Sequence, residues 1–165
     1  MGQLRTATRT LATLGLTPAQ ILTRLDQITA DLTDAETSAT CIYAACDPAT
    51  GSWDIARAGH PPLALARPGH PAAFPRLPAS LPLGTGLADG PYQATRLHLP
   101  PGSTLLLYTD GLIETHATDI DAGMTRLART LGTLAALPPA QACDRLLATL
   151  APRPADDIAV LMART

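Results

Sequence analysis

Apolar positions along this chain follow two rhythms. Leu4, Leu11 and Leu14 recur at helical spacing with Arg5, Thr6 and Arg9 between them, and Gly15 supplies a stop, so residues 1–14 read as a helix. Thr17-Pro18-Ala19-Gln20 reads as the start of a second helix: Thr caps, Pro takes the first helical position and Gln completes a capping box. Ile21, Leu22, Leu25, Ile28 and Leu32 form its inward stripe. From Ala39 the rhythm changes. Ala39–Cys46 is a continuous apolar run, Asp47–Gly51 carries turn residues, and Trp53–Ala58 returns as the second strand of a hairpin. Gly59-His60-Pro61-Pro62 breaks it, and Leu63–Ala66 is a short strand. Residues 72–90, rich in Pro, Gly and Ala, read as a loop. Tyr92–Leu99 alternates as a strand with one solvated face, and Pro100-Pro101-Gly102 turns into Ser103–Tyr108, so these two strands predict an antiparallel hairpin. Helical spacing then returns. A helix from Asp121 to Leu131 has Met124, Leu127, Ala128 and Leu131 inward; another, opened by Pro138-Pro139, carries Cys143, Leu146, Leu147 and Leu150. A strand from Ile158 to Met162 closes the chain. Two helices, a run of strands, two helices and a strand predict α+β layers with antiparallel sheet.

The chain centres on Leu105–Glu114. Three leucines and a tyrosine predict a strand buried on both faces, which runs straight into Thr109-Asp110-Gly111. A carboxylate there is costly to bury unpaired, so Asp110 caps a turn, pairs, or holds a cation. A mirror arrangement stands later, where Asp156-Asp157 leads into the closing strand. Neighbouring strand residues point to opposite faces, so only one of that pair can serve a given site. Hard cations such as Mg²⁺ and Mn²⁺ take carboxylate oxygens and water. Two strands with an aspartate at one end each would supply two ligands if those ends lie side by side. His60 is either a turn residue whose ring bonds a nearby backbone group, or a metal ligand or general acid.

The chain's 165 residues, 46% hydrophobic and 16% charged, predict one globular domain over 1–165 with a real core. A net charge of −2 provides no basic footprint for nucleic acid. All twelve basic residues are arginine, which excludes Walker-type phosphate binding and Schiff-base chemistry, since both need lysine. No stretch reads as a signal peptide, and no apolar run approaches the roughly 18 residues of a membrane span, so a cytoplasmic protein without membrane attachment is expected. Cys41, Cys46 and Cys143 lack metal-site spacing, and their odd number fits buried thiols in a reducing compartment.

Four motifs stand in a telling order: Ala58-Gly59-His60-Pro61-Pro62, Pro82-Leu83-Gly84, Leu107–Glu114 and Asp156-Asp157-Ile158-Ala159-Val160. In order and spacing the chain resembles the stage II sporulation protein E type of bacterial PPM (type 2C) metal-dependent Ser/Thr protein phosphatases, over nearly its whole length. The resemblance implies an antiparallel β-sandwich flanked by helices in α-β-β-α layers, with a metal site at one edge between the sheets. It implies two Mn²⁺ or Mg²⁺ ions in the complete site, with Asp110 and Asp156 as ligands and no catalytic residue beyond the ligands. Asp157 takes the position beside the ligand, and Glu114 a structural one. The substrate implied is phosphoserine or phosphothreonine on a regulatory protein such as an anti-sigma factor antagonist. The family's Gly-Asp-x-x-Asp and Asp-x-x-Gly-His-Gly segments, which bridge the metals, have no counterpart here. The domain is therefore expected to be N-terminally incomplete, lacking about its first third. It should hold a divalent ion at most weakly and turn over slowly or not at all. A non-catalytic regulatory or binding module on the same scaffold is the alternative. Uncovered strands predict a homodimer through an exposed sheet edge.

Overall fold

A computed structural model of the chain describes residues 2–32, 38–85, 90–114, 119–151 and 157–165. Its elements are α1 (Gly2–Ala12), α2 (Pro18–Leu32), β1 (Cys41–Asp47), β2 (Ser52–Ala58), β3 (Ala64–Ala66), β4 (Ala94–His98), β5 (Thr104–Tyr108), a 3-10 turn (Asp110–Leu112), α3 (Ile120–Leu134), α4 (Pro139–Leu150) and β6 (Val160–Arg164). The strands form two antiparallel three-stranded sheets, ordered β1-β2-β4 and β3-β5-β6. The expected α+β class is what the chain adopts. It divides into two compact units, Met1–His60 with Leu77–His98, and Pro61–Arg76 with Leu99–Thr165.

In the first unit α2 begins with the expected capping box. The Thr17 N–H donates to Gln20 Oε1 at 2.9 Å, and the Gln20 N–H reaches Thr17 Oγ1 at 3.4 Å. Ile21, Leu22 and Leu25 then bury against Ala56, Ala58, Leu83 and Tyr92. The β1–β2 hairpin pairs Cys41 with Ala58 through to Asp47 with Ser52. The loop after it is pinned rather than loose. Gly59 donates to the Ser80 carbonyl at 2.9 Å, and Ala39 and Leu83 exchange two backbone bonds of 3.1 and 2.8 Å. Gly59 has φ +63, and a Cβ on it would lie 2.5 Å from Pro82 Cγ, so glycine is required for both conformation and space.

In the second unit β5 is the middle strand, and its Leu106 and Tyr108 join Leu112, Ile113, Leu127, Leu131 and Leu146 in one core. Asp119 caps α3, its side chain accepting from the Ala122 N–H at 2.9 Å. The helix runs from Ile120 to Leu134, longer than the predicted Asp121–Leu131. Gly123 lies flat against the turn that follows β5: a Cβ there would sit 2.1 Å from the Ile113 carbonyl oxygen.

Two expectations need correction. Tyr92–Leu99 and Ser103–Tyr108 do not form a hairpin: β4 pairs with β2, whereas β5 pairs with β3 and β6. Pro100 and Pro101 lack the N–H groups that would carry a ladder into the turn. Instead the Ser103 N–H bonds back to the Pro100 carbonyl at 3.1 Å, and the chain passes from one sheet to the other. Nor are all thiols buried. Cys46 is exposed, because the end of β1 projects beyond the apolar cover, while Cys41 and Cys143 are half-buried.

Candidate functional site

The last register pair of the β5–β6 ladder is Tyr108 with Val160. One residue further, Thr109 holds the two strand ends together. Its N–H donates to the Ala159 carbonyl at 3.0 Å. Its hydroxyl accepts from the Ala159 N–H at 2.9 Å and donates to the Asp157 carbonyl at 3.3 Å. The C-terminal end of β5 thus lies beside the entry to β6, the geometric condition that the two aspartate-bearing strands had to meet.

Asp110 follows directly and is exposed. Its Oδ1 accepts the Gly111 N–H at 3.0 Å, and its carbonyl accepts the N–H groups of Ile113 and Glu114, both at 2.8 Å. Asp110 therefore heads the 3-10 turn, and the turn-capping reading accounts for its backbone and one carboxylate oxygen. The other oxygen takes no hydrogen bond among the described residues. Among the described residues the carboxylate is held at its base through one oxygen only, an arrangement compatible with a ligand for a hard cation. Leu112 and Ile113, both buried, anchor the turn from below.

The remaining predicted positions fall as follows. Asp156 lies outside the described residues. Asp157 is exposed, and its carbonyl is engaged by Thr109. Glu114 is exposed and closes the turn through its N–H, consistent with a structural part. His60, half-buried, accepts a bond from Arg57 Nη1 on its carbonyl at 3.0 Å. Among the described residues no group of three His, Cys, Asp or Glu side chains could hold a metal.

Sequence reasoning missed the residues that position the motifs. Thr109 was legible only as part of a turn, although a β-branched hydroxyl between a buried strand and Asp-Gly is well placed to bridge strands. Arg57 secures the His60 turn from below, with Nε also donating to the Pro78 carbonyl at 3.3 Å. Asp26 of α2 accepts the Gly84 N–H at 2.8 Å and the Tyr92 hydroxyl at 3.2 Å, and so holds the Pro82-Leu83-Gly84 motif against the helix. No local signal marks a carboxylate whose partners lie 58 and 66 residues away.

A sequence model described as Stage II sporulation protein E (SpoIIE) matches residues 1–165. The chain belongs to this family. Solved structures agree with the assignment. The RsbU and RsbW domains of a Mycobacterium tuberculosis protein match with 29% identity and a TM-score of 0.88, over 99% of this chain and 47% of that one. The PP2C domain of SiaA from Pseudomonas aeruginosa matches with 26% identity and a TM-score of 0.81, over 98% of this chain and 67% of that one. RsbX in complex with magnesium shares the fold at 15% identity, with a TM-score of 0.70 over 98% of this chain and 70% of that one. The chain thus spans about half the length of the first of these. Proteins of this family are PP2C-type Ser/Thr protein phosphatases, which are hydrolases, and the SiaA match is a PP2C domain. Two antiparallel sheets with helices are the fold that they have in common with this chain.

Proposed function

We propose that residues 1–165 form one PPM-type domain of a metal-dependent protein Ser/Thr phosphatase, in which Asp110 and Asp156 are ligands for Mn²⁺ or Mg²⁺. The observation that carries this reading is the carboxylate of Asp110 at the end of β5, one oxygen of which takes no hydrogen bond among the described residues, on a strand end tied by Thr109 to the strand that Asp156 and Asp157 lead into. A bound ion there would supply charge neutralisation for a phosphoryl group and would lower the pKa of a water, making hydroxide available to attack it. The chain's own residues do the positioning. Gly111 orients one Asp110 oxygen, Thr109 fixes the distance between strand ends, and the buried Leu112 and Ile113 keep the turn from moving.

The substrate class is a phosphoserine or phosphothreonine on a regulatory protein such as an anti-sigma factor antagonist. Support comes from the family and from a neighbour in which RsbU and RsbW domains occur together. Lacking lysine, the protein would grip the phosphate through arginine, whose planar fork suits it. The cytoplasm is the compartment that fits this reading; among the described residues no helix is long and apolar enough to cross a membrane.

Two carboxylates can position one ion, with water filling its other sites, so affinity and turnover should be low for these 165 residues. The test is Mn²⁺-dependent hydrolysis of p-nitrophenyl phosphate and of a phosphoseryl protein, with Mn²⁺ binding followed by electron paramagnetic resonance. Weak binding and slow turnover, both lost in Asp110→Asn and Asp156→Asn, are the expected result. Turnover that needs no metal, or Mn²⁺ binding that survives both substitutions, would sink the reading. Binding of the ion and of phosphoprotein without turnover would instead favour a non-catalytic module.

A further inference from the structure

α3 buries Gly123, Leu127 and Leu131 in the core of the second unit and leaves Asp121, Thr125 and Arg129 exposed. Positions four apart follow one another along a helix surface, so these three form a single row with Thr125 at its midpoint. Beside the row runs a groove of about 640 Å³. Its far wall is Pro71, Ala72 and Phe74, part of the segment held to β3 by the two Leu65–Ala73 backbone bonds of 2.8 Å. Both walls belong to the second unit. Phe74, Met124 and Ala128 line the groove, and each is a partly buried apolar residue packed on the core. The row itself is charged but unpaired. Neither Asp121 nor Arg129 forms an ion pair among the described residues, where the ion pair is that of Arg96 with Asp54. The threonines of α1, α2 and α4 return their hydroxyls to the carbonyl four residues back, whereas Thr125 makes no such bond.

We propose that this row and groove are an interaction surface for a second copy of this chain, with the two α3 helices antiparallel about a two-fold axis at Thr125. The argument is charge complementarity. Asp121 and Arg129 stand about 6 Å along the helix on either side of Thr125 and carry opposite charge. Reversing the helix about Thr125 therefore brings Asp121 of each copy to Arg129 of the other, so both contacts are attractive. It also sets the two Thr125 hydroxyls against each other, where one donates and the other accepts. Rows of this kind run side by side when helices cross at about 50°, the commonest class of helix packing. Few helices match their own copy in this way. α1, whose charges are Arg5 and Arg9 alone, would repel itself, and a parallel pairing of α3 in register would set Asp121 on Asp121. The apolar lining supplies favourable burial, and the charges fix register and direction. One helix and one loop segment make a small contact, so the dimer is weak and concentration-dependent. The surface uses no residue of the proposed metal site.

The experiment is sedimentation equilibrium of the 165-residue chain from micromolar to millimolar concentration. Wild type should dimerise as concentration rises. Asp121→Arg and Arg129→Asp each turn both contacts into like-charge pairs and should weaken dimerisation roughly tenfold or more. An equimolar mixture of the two variants has opposite charges at both contacts again and should regain association. Circular dichroism checks that each variant folds. If Asp121→Arg, which removes an acid from the first turn of α3, does not fold, Thr125→Glu and Thr125→Arg decide in its place, since each repels its own copy on the axis and attracts the other. Monomeric wild type would overturn the proposal and leave the groove to a partner of different sequence. Single variants that dimerise like wild type, or a mixture no more associated than its components, would overturn it as well.

Discussion

Replacing Gly123 by alanine sets two effects against each other within one helix. In the first turn of α3 the change should help, since within a helix alanine is favoured over glycine by roughly 0.5–1 kcal/mol. Packing opposes it. The new Cβ would meet the Ile113 carbonyl oxygen at 2.1 Å and its carbon at 2.9 Å. Relief to an ordinary contact of 3.4 Å requires α3 to withdraw by about 1.3 Å from backbone that cannot swing aside. Withdrawal loosens Leu127 and Leu131, both fully buried in the same core as Ile113. Overpacking typically costs about 1–3 kcal/mol, and lost contacts add to it, so packing outweighs propensity and a net loss of about 1–3 kcal/mol follows. Gly132 is the internal control. It lies in the same helix and gains the same propensity, but its Cβ would meet only His70 O at 3.2 Å, Ala72 N at 3.3 Å and Pro71 Cα at 3.4 Å. That misfit is a few tenths of an ångström, so Gly132→Ala should stay within about 0.5 kcal/mol of wild type. Urea unfolding followed by circular dichroism measures both variants. Gly123→Ala should also shift the amide resonances of Thr109–Glu114, because Ile113 belongs to the turn headed by Asp110. A Gly123→Ala protein as stable as Gly132→Ala would refute the reasoning.

Two further outcomes can be checked on the same protein. Burial pushes the Cys41 thiol up to about 11 from an ordinary value of 9.0, so this group's contribution is fully present below pH 9 and is lost as pH rises through 11. Over that window wild type should lose about 2–3 kcal/mol more than Cys41→Ala in parallel urea titrations, and equal pH slopes would count against the buried thiol. Asp26→Ala should cost about 1–3 kcal/mol, because it strands the Gly84 N–H and the buried Tyr92 hydroxyl, whereas Asp26→Asn keeps an acceptor and should recover most of it; equal melting temperatures for the two would argue against the tie.

What was legible in the sequence was local or periodic. The Thr17–Gln20 capping box involves residues three apart, and the β1–β2 hairpin is announced by a turn between two apolar runs. β5 could be read because a central strand needs apolar side chains on both faces. The partners of β4 and β5 could not, since a short turn between two strands looks the same whether it closes a hairpin or changes sheets. Asp110 was visible from its motif, but its setting depends on Thr109 reaching a carbonyl 48 residues later. Gly123 carries no signal at all: only its contact with Ile113 shows why a helix would accept a residue poorly suited to it.

The Thr109 clamp also orders events in time. During synthesis the first unit has all of its chain once His98 has emerged, and its β1–β2 pairing is local. The second unit must wait. β3 finds its partner strand only when Thr104–Tyr108 arrives, and Thr109 has nothing to hold until Asp157 and Ala159 are made. Closing loops of that length is slow, and the contacts that reward it come last. The carboxylate of Asp110 would then be carried on an unfixed turn through most of translation. A nascent chain stalled before residue 157 would hold the whole of the first unit and no clamp between β5 and β6, so the turn headed by Asp110 would be fixed only with the final strand.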